Sequence, residues 1–272
     1  RKKTFYEEML YEVAYFDETT KLANRNMLRK TLEESIRDRK ESGKIALLNI
    51  ELANMRMIKD TYGYDVAEQV MLKSATMLRN LSEASYTISR TNDGEFVLIL
   101  PDVEGTEQIE GYANRLLAAF SHPISTDMEI EALFVVPRIG ISVYPDDGRD
   151  LKTFSQSVDL AGYEAVKTDE NIVFYSERLG SHIAENTLYT NKLFKSLENK
   201  ELFLEFQPQI SCDTEKTVGI EALLRWTTDD NRRVPPDRFI PILEQTGLIY
   251  DVGLWVLEQT LLEHKRLIAK GF

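Results

Sequence analysis

A chain of 272 residues holds one large or two ordinary domains, and 43% apolar with 29% charged residues is the composition of a globular protein. Its 33 basic and 45 acidic residues leave a net charge of −12, which disfavours non-specific binding to nucleic-acid polymers or anionic membranes. Any phosphate ligand therefore needs a local metal ion or arginine to offset the field. No apolar run approaches the ~20 residues of a membrane span, and no signal-peptide pattern is present. The single cysteine, Cys212, excludes an internal disulfide and suits a reducing compartment. His122, His182 and His264 lie too far apart in sequence to suggest a histidine metal site. The start at Arg1 reads as the start of a fragment, with a sensor or membrane segment upstream.

In chain order, Phe5, Met9, Val13 and Phe16 recur three to four residues apart and predict an amphipathic helix over 2–16. A second helix is expected from Asn26 to about Lys40, ending near Gly43. The run 44–51 predicts a strand that leaves Glu51 at its carboxyl end. A helix over 68–81 carries Val70, Leu72, Ala75 and Leu78 as its core face. Tyr86 to Ser89 and Phe96 to Leu100 read as paired strands, the second buried, with Asn92-Asp93-Gly94 as the turn between them. A helix over 106–120, a strand over 132–145, a helix over 158–167 and a strand over 172–175 follow. This alternation predicts an α/β sandwich with helices packed on a central sheet. On residues alone, a plain surface turn is the commoner reading of such a hairpin, and Glu51 and Glu68 are equally solvated acids.

The hairpin resembles the signature of the GGDEF family, the diguanylate cyclase domains, which reads Arg-x-Gly-Gly-Asp-Glu-Phe. Arg90, Glu95 and Phe96 match, Asn92 and Asp93 stand for the two glycines, and Gly94 stands for the metal-binding acid. Asp17, Thr20, Leu22, Asn24 and Arg25 match the family's Asp-x-Leu-Thr-Gly-Leu-x-Asn-Arg. The segment 158–167 is similar to its Ala-Asp-x-Ala-Met-Tyr-x-Ala-Lys helix, and Ile139-Gly140 to its Ser-Ile-Gly strand with Arg138 in place of serine. The resemblance covers 14–176 and implies a ferredoxin-like domain with a central five-stranded sheet and flanking helices.

It also implies where the chemistry has changed. Glu51 takes the place of the aspartate that holds catalytic Mg²⁺, and Lys59 that of the asparagine that reads guanine. Lys59 only donates, so it lacks the paired donor and acceptor of an amide. Glu68 keeps an acceptor for a guanine edge, and Lys167 falls on the lysine that meets triphosphate. The basic segment that should follow is Asp169-Glu170-Asn171, and Glu83 and Tyr86 stand where the family's inhibitory Arg-x-x-Asp would be. Joining two nucleoside triphosphates requires metal ions to neutralise phosphate charge. With Gly94 at a metal position and Asp93 beside the nucleotide, the expectation is a domain without diguanylate cyclase activity. GTP with Mg²⁺ as a regulatory ligand is then implied at Glu51, Glu95, Glu68 and Lys167.

Residues 177–199 read as a linker helix. An alternating strand, 201–210, a polar turn and a second strand, 217–226, come next. Phe206-Gln207-Pro208-Gln209-Ile210, Glu221-Ala222-Leu223-Leu224-Arg225, the run 234–249 and Gly253 to Glu258 together resemble the EAL family of cyclic-di-GMP phosphodiesterases. That resemblance puts the catalytic divalent metal, Mg²⁺ or Mn²⁺, on Glu221 and a phosphate of the dinucleotide on Arg225. Gln207 and Leu223 line the same pocket. An Arg225 simply paired with a nearby acid is the other reading. The expected organisation is a helix over 1–16, a degenerate GGDEF-like domain over 17–176, the linker helix, and an incomplete TIM-barrel-like EAL segment over 200–272. As it stops short of a barrel's ~250 residues, the segment is expected not to hydrolyse the dinucleotide, and to leave an apolar face for a second copy or a disordered tail. The implied whole is part of a bacterial signalling protein, cytoplasmic or the cytoplasmic part of a membrane-bound sensor, working as a homodimer. Its implied partners are cyclic-di-GMP and GTP. A parent phosphodiesterase is one reading, and a non-enzymatic receptor or dimerisation scaffold the other.

Overall fold

The computed structural model describes residues 2–127 and 132–271, and the chain divides into two compact units, Arg1–Gly180 and Ser181–Phe272. In the first, α1 (Lys2–Tyr15) is followed by α2 (Arg25–Asp38). The side chain of Asn24 accepts from the backbone N–H of Asn26 and Met27, which satisfies two of the donors that open α2. Next come β1 (Lys44–Leu52), α3 (Met55–Tyr62) and α4 (Tyr64–Leu81), the two helices cornered at Gly63. The hairpin β2 (Thr87–Asn92) and β3 (Glu95–Val103) leads to α5 (Thr106–Phe120), β4 (Pro137–Tyr144), α6 (Leu151–Thr168) and β5 (Ile172–Phe174).

The strands form one five-stranded sheet in the order β2-β3-β1-β4-β5, antiparallel except for β4–β5. Side chains alternate between its faces. Ala46, Leu48, Ile50, Phe96, Leu98 and Leu100 meet α4 and α5 through Val70, Leu78, Tyr112 and Leu116. On the other face, Leu47, Val97 and Ile99 meet α2 and α6 through Leu32, Phe154 and Val158. Helix α6 approaches the sheet at Gly140, where a Cβ would come within 2.1 Å of the backbone nitrogen of Gly162. Only glycine allows that separation.

Several expectations need correction. The strand predicted over 132–145 begins only at Pro137. Leu133 instead bridges Ile124, and a proline, having no N–H, suits a strand's first residue. Helix α6 starts at Leu151 because Asp150 and Thr153 form a reciprocal capping box ahead of the predicted segment. The predicted core face of α4 included Leu72, which is 39% exposed; Val70, Met71, Ser74, Ala75 and Leu78 make the buried stripe. On α1, Met9 and Val13 are exposed, as are Tyr6 and Leu10. The side chain of Phe5 lies outside the described residues.

In the second unit, β6 (Leu202–Ile210), β7 (Thr217–Thr227) and β8 (Arg233–Val234) form an antiparallel sheet in that order, with α8 (Pro236–Thr246) and α9 (Ile249–Ala269) after it. Trp226 is fully buried between Tyr189 and Phe239, both edge-on, and its indole N–H donates to Glu201 at 3.0 Å. Tyr189 and Leu193 belong to α7 (Glu177–Ser196). The predicted linker helix is thus part of this unit's core, not a bare connector.

Candidate nucleotide and metal sites

The tip of the β2–β3 hairpin is Asp93-Gly94, flanked by the facing pair Asn92 and Glu95. Gly94 has φ 78°, its carbonyl accepts from the N–H of Leu52 at 2.7 Å, and a Cβ there would lie 3.0 Å from Met55. The backbone thus demands glycine where the family motif carries its acid.

Around the tip the charged side chains satisfy one another. Lys59, on α3, reaches Asp93 at 2.6 Å and lies 5.2 Å from the ring centre of Tyr64. Arg90 is buried and grips Glu68 with both terminal nitrogens, at 2.8 and 3.2 Å. The same guanidinium meets Asp17 at 3.4 Å and Asp93 at 3.3 Å. The hydrogen bond from Arg90 holds the Glu68 carboxyl below its usual range, and the one from Lys59 does so for Asp93. Burial raises Asp17, but Thr20 and Arg90 outweigh it and bring its carboxyl down. Asp93 is therefore a neutralised anion, and Glu68 has both oxygens occupied.

Behind the tip, Glu51 and Glu95 stand directly opposite on β1 and β3. Asn49 and Asn92 each donate an amide hydrogen to Glu95, one to each oxygen. Burial, and then the charge of Glu95, push the Glu51 carboxyl up; Asp159 on α6 is raised by the same two causes. A hard cation needs several free oxygen ligands. Here the oxygens of Glu95 already accept from amides, and among the described residues no three His, Cys, Asp or Glu side chains converge. These residues do not fit the Mg²⁺ that the family uses. Glu95 and Asp159 also line a cleft of about 720 Å³ with Arg25, Arg29 and Lys152.

Arg138 faces Glu51 across β4 and β1 and is tied to Asn171 at 2.7 Å and to Asp169. The arginine on β4 is thus matched by the acid that follows α6. Lys167 is exposed on the last turn of α6, 6.0 Å from the ring centre of Tyr163. The hairpin residues, Glu51 and Glu68 thus converge at one end of the sheet. Lys167 has no ion pair with any of them.

In the second unit, β6 and β7 pair Gln207 with Glu221, Glu205 with Leu223 and Phe203 with Arg225. By alternation, Gln207, Glu221, Leu223 and Arg225 share one face of the sheet. Glu221 and Gln207 are exposed, and Glu221 offers one carboxylate of the several oxygen ligands a hard divalent cation takes; no three His, Cys, Asp or Glu side chains converge here among the described residues. Arg225 donates through Nε to Glu205 at 2.7 Å and through Nη1 to the Leu224 carbonyl at 3.1 Å. The other oxygen of Glu205 takes Arg233, on β8. Both hydrogen bonds keep the Glu205 carboxyl low. The sequence reading missed Glu205, Arg233, Asn49 and Asp159. Glu205 alone had a signal, since it lies two residues before Gln207 on an alternating strand.

The model of the family described as diguanylate cyclase, GGDEF domain, matches residues 14–172, and the EAL domain model matches 190–271. The chain belongs to the GGDEF family, and its residues 190–271 match the EAL domain. Among curated relatives, the bifunctional diguanylate cyclase/cyclic di-GMP phosphodiesterase MucR of Pseudomonas aeruginosa is 29% identical over 252 residues, 92% of this chain and 36% of that protein. The cyclic di-GMP phosphodiesterase PdeR of Escherichia coli is 26% identical over 97% of this chain and 39% of its own length. The chain spans about a third of the length of the curated relatives it matches. The fold is similar to the GGDEF domain of Pseudomonas aeruginosa TpbB (TM-score 0.60, 21% identity, 62% of this chain and 99% of that one). It is also similar to the S helix-GGDEF-EAL structure of Vibrio cholerae LapD (TM-score 0.58, 17% identity, 97% of this chain and 61% of that one). No helix among the described residues is long and apolar enough to cross a membrane.

Proposed function

We propose that the chain is part of a bacterial cyclic-di-GMP signalling protein in which the first unit regulates and makes no cyclic-di-GMP. Its second unit contributes to a domain that binds and hydrolyses the dinucleotide. The contrast between the two sites carries this reading. In the first unit Gly94 replaces an acid, Lys59 and Glu68 are spent on Asp93 and Arg90, and Glu95 accepts from two amides. In the second, Glu221, Gln207, Leu223 and Arg225 stand together on one sheet face, and Arg225, though paired with Glu205 through Nε, keeps Nη2 without a partner among the described residues. Glu221 would hold Mg²⁺ or Mn²⁺, which supplies Lewis-acid chemistry at a phosphate when bound. Arg225 binds a phosphate oxygen, and Gln207 and Leu223 line the pocket. A receptor or dimerisation scaffold is the second reading, supported by the exposed Tyr6, Met9, Leu10 and Val13 along α1, which suit pairing between two copies.

The deciding experiment titrates the chain calorimetrically with cyclic-di-GMP and with GTP, both in Mg²⁺, and assays GTP turnover. The expected outcome is cyclic-di-GMP binding that Arg225→Ala abolishes, with no dinucleotide product from GTP. Cyclic-di-GMP made from GTP defeats the regulatory reading. Micromolar GTP binding lost in Glu68→Ala makes the first unit a nucleotide sensor, and its absence leaves a positioning scaffold. Turnover of cyclic-di-GMP by the full-length parent separates phosphodiesterase from receptor.

A further inference from the structure

We infer that Glu205 is a positioning residue that sets Arg225 and Arg233 as a paired receptor for one phosphate of the cyclic dinucleotide, and that Arg233 contacts that phosphate itself. The inference rests on the reading of the second unit given above. One carboxylate bridges two guanidiniums, so the cluster carries a net positive charge on a chain whose total is −12. Thr227 pairs with Arg233, and alternation places Thr227 and Arg225 on one face of β7, so both arginines and Glu205 sit on the face that carries Glu221.

The bonding leaves donors to spare. Arg225 is held at Nε by Glu205 and at Nη1 by the Leu224 carbonyl, while Nη2 has no partner among the described residues. Arg233 is held at one Nη2 and its side chain is 57% exposed, against 20% for Arg225. A guanidinium already held at two of its three nitrogens loses less rotamer freedom when its remaining Nη2 hydrogens meet an anion. Planar N–H donors suit phosphate oxygens. Leu223 lies between Arg225 and the Gln207–Glu221 pair, giving an apolar step between the metal-binding and the cationic ends of the face.

Glu205 has an opposite role open to it, since a carboxylate on Arg225 also competes with a phosphate. The two roles differ in sign. Calorimetric titration with cyclic-di-GMP in Mg²⁺, on the full chain, reads it, with a thermal melt of each variant. A solvent-exposed contact falls short of a full hydrogen bond to a charged group, so Arg233→Ala is expected to weaken binding about five- to tenfold at low salt. Because Arg233 is exposed, the loss shrinks as salt rises, and Arg233→Lys recovers part of it. Glu205→Gln weakens binding as well. Tighter binding by Glu205→Gln, or unchanged affinity in Arg233→Ala while Arg225→Ala abolishes binding, overturns this inference and leaves the functional reading intact. No binding by the unsubstituted chain overturns both. Arg233 is exposed on a two-residue strand, so its variants test the proposal even if Glu205→Gln fails to fold.

Discussion

Lys59 and Asp93 meet at 2.6 Å, so the cation standing for a guanine-reading amide and the anion standing for a motif glycine cancel each other. Asp93 therefore lacks the free charge that would repel a triphosphate. The pair ties α3 to the hairpin.

This pair is partly solvent-exposed, so its contribution is screened by salt. Asp93→Asn is expected to lower Tm in low-salt buffer, with the difference shrinking in high salt. Lys59→Met in the same background is expected to add little, because each change removes the same pair. Additive losses in the double variant argue that the two residues act separately.

Arg90 is the more costly position. Its removal leaves Asp17, Glu68 and Asp93 without their shared cation in a half-buried setting. Arg90→Ala is expected to cost about 2–4 kcal/mol in urea unfolding, below a fully buried pair because Glu68 and Asp93 reach solvent. Arg90→Lys restores charge but not the two-nitrogen grip on Glu68, and recovers only part.

Glu51 works the other way. Its folded pKa is raised above the ordinary 4.5, so the folded state holds that proton more tightly than the unfolded chain does. Its contribution is present below 4.5 and is lost as pH rises through the folded value. Glu51→Gln is expected to raise Tm at pH 7, with the gain vanishing below about pH 4.5. Asp17, Glu68 and Asp93 have lowered values, so their contribution holds above the unfolded pKa and is lost as acid takes the pH through the folded one. Melts across the acid range separate the two groups.

Restoring the motif acid is not expected to restore synthesis. Gly94→Asp places a Cβ at φ 78° and 3.0 Å from Met55. A cost of about 1–2 kcal/mol follows from the left-handed backbone. No cyclic-di-GMP is expected from GTP and Mg²⁺, since Glu68 and Lys59 stay occupied; product in that assay shows that Gly94 alone blocked the reaction.

Much of this was determined by local sequence. The 3.6-residue spacing on α4 and α5, the apolar runs of β1 and β3 and the Asn92-Asp93-Gly94 turn identify an α/β sandwich, because periodicity and turn preference are near-neighbour effects. Resemblance to the EAL motif marked Glu221, Leu223 and Arg225, and the strand register put them on one face. Only the tertiary structure decided which charged groups are free. Arg90 and Glu68 lie 22 residues apart, Lys59 and Asp93 lie 34, and Arg225 and Glu205 lie 20. Those pairings depend on strand register and helix placement, to which a charged residue's own neighbours carry no guide. A motif position names a side chain's chemistry. Its partner across the fold decides whether that chemistry is available.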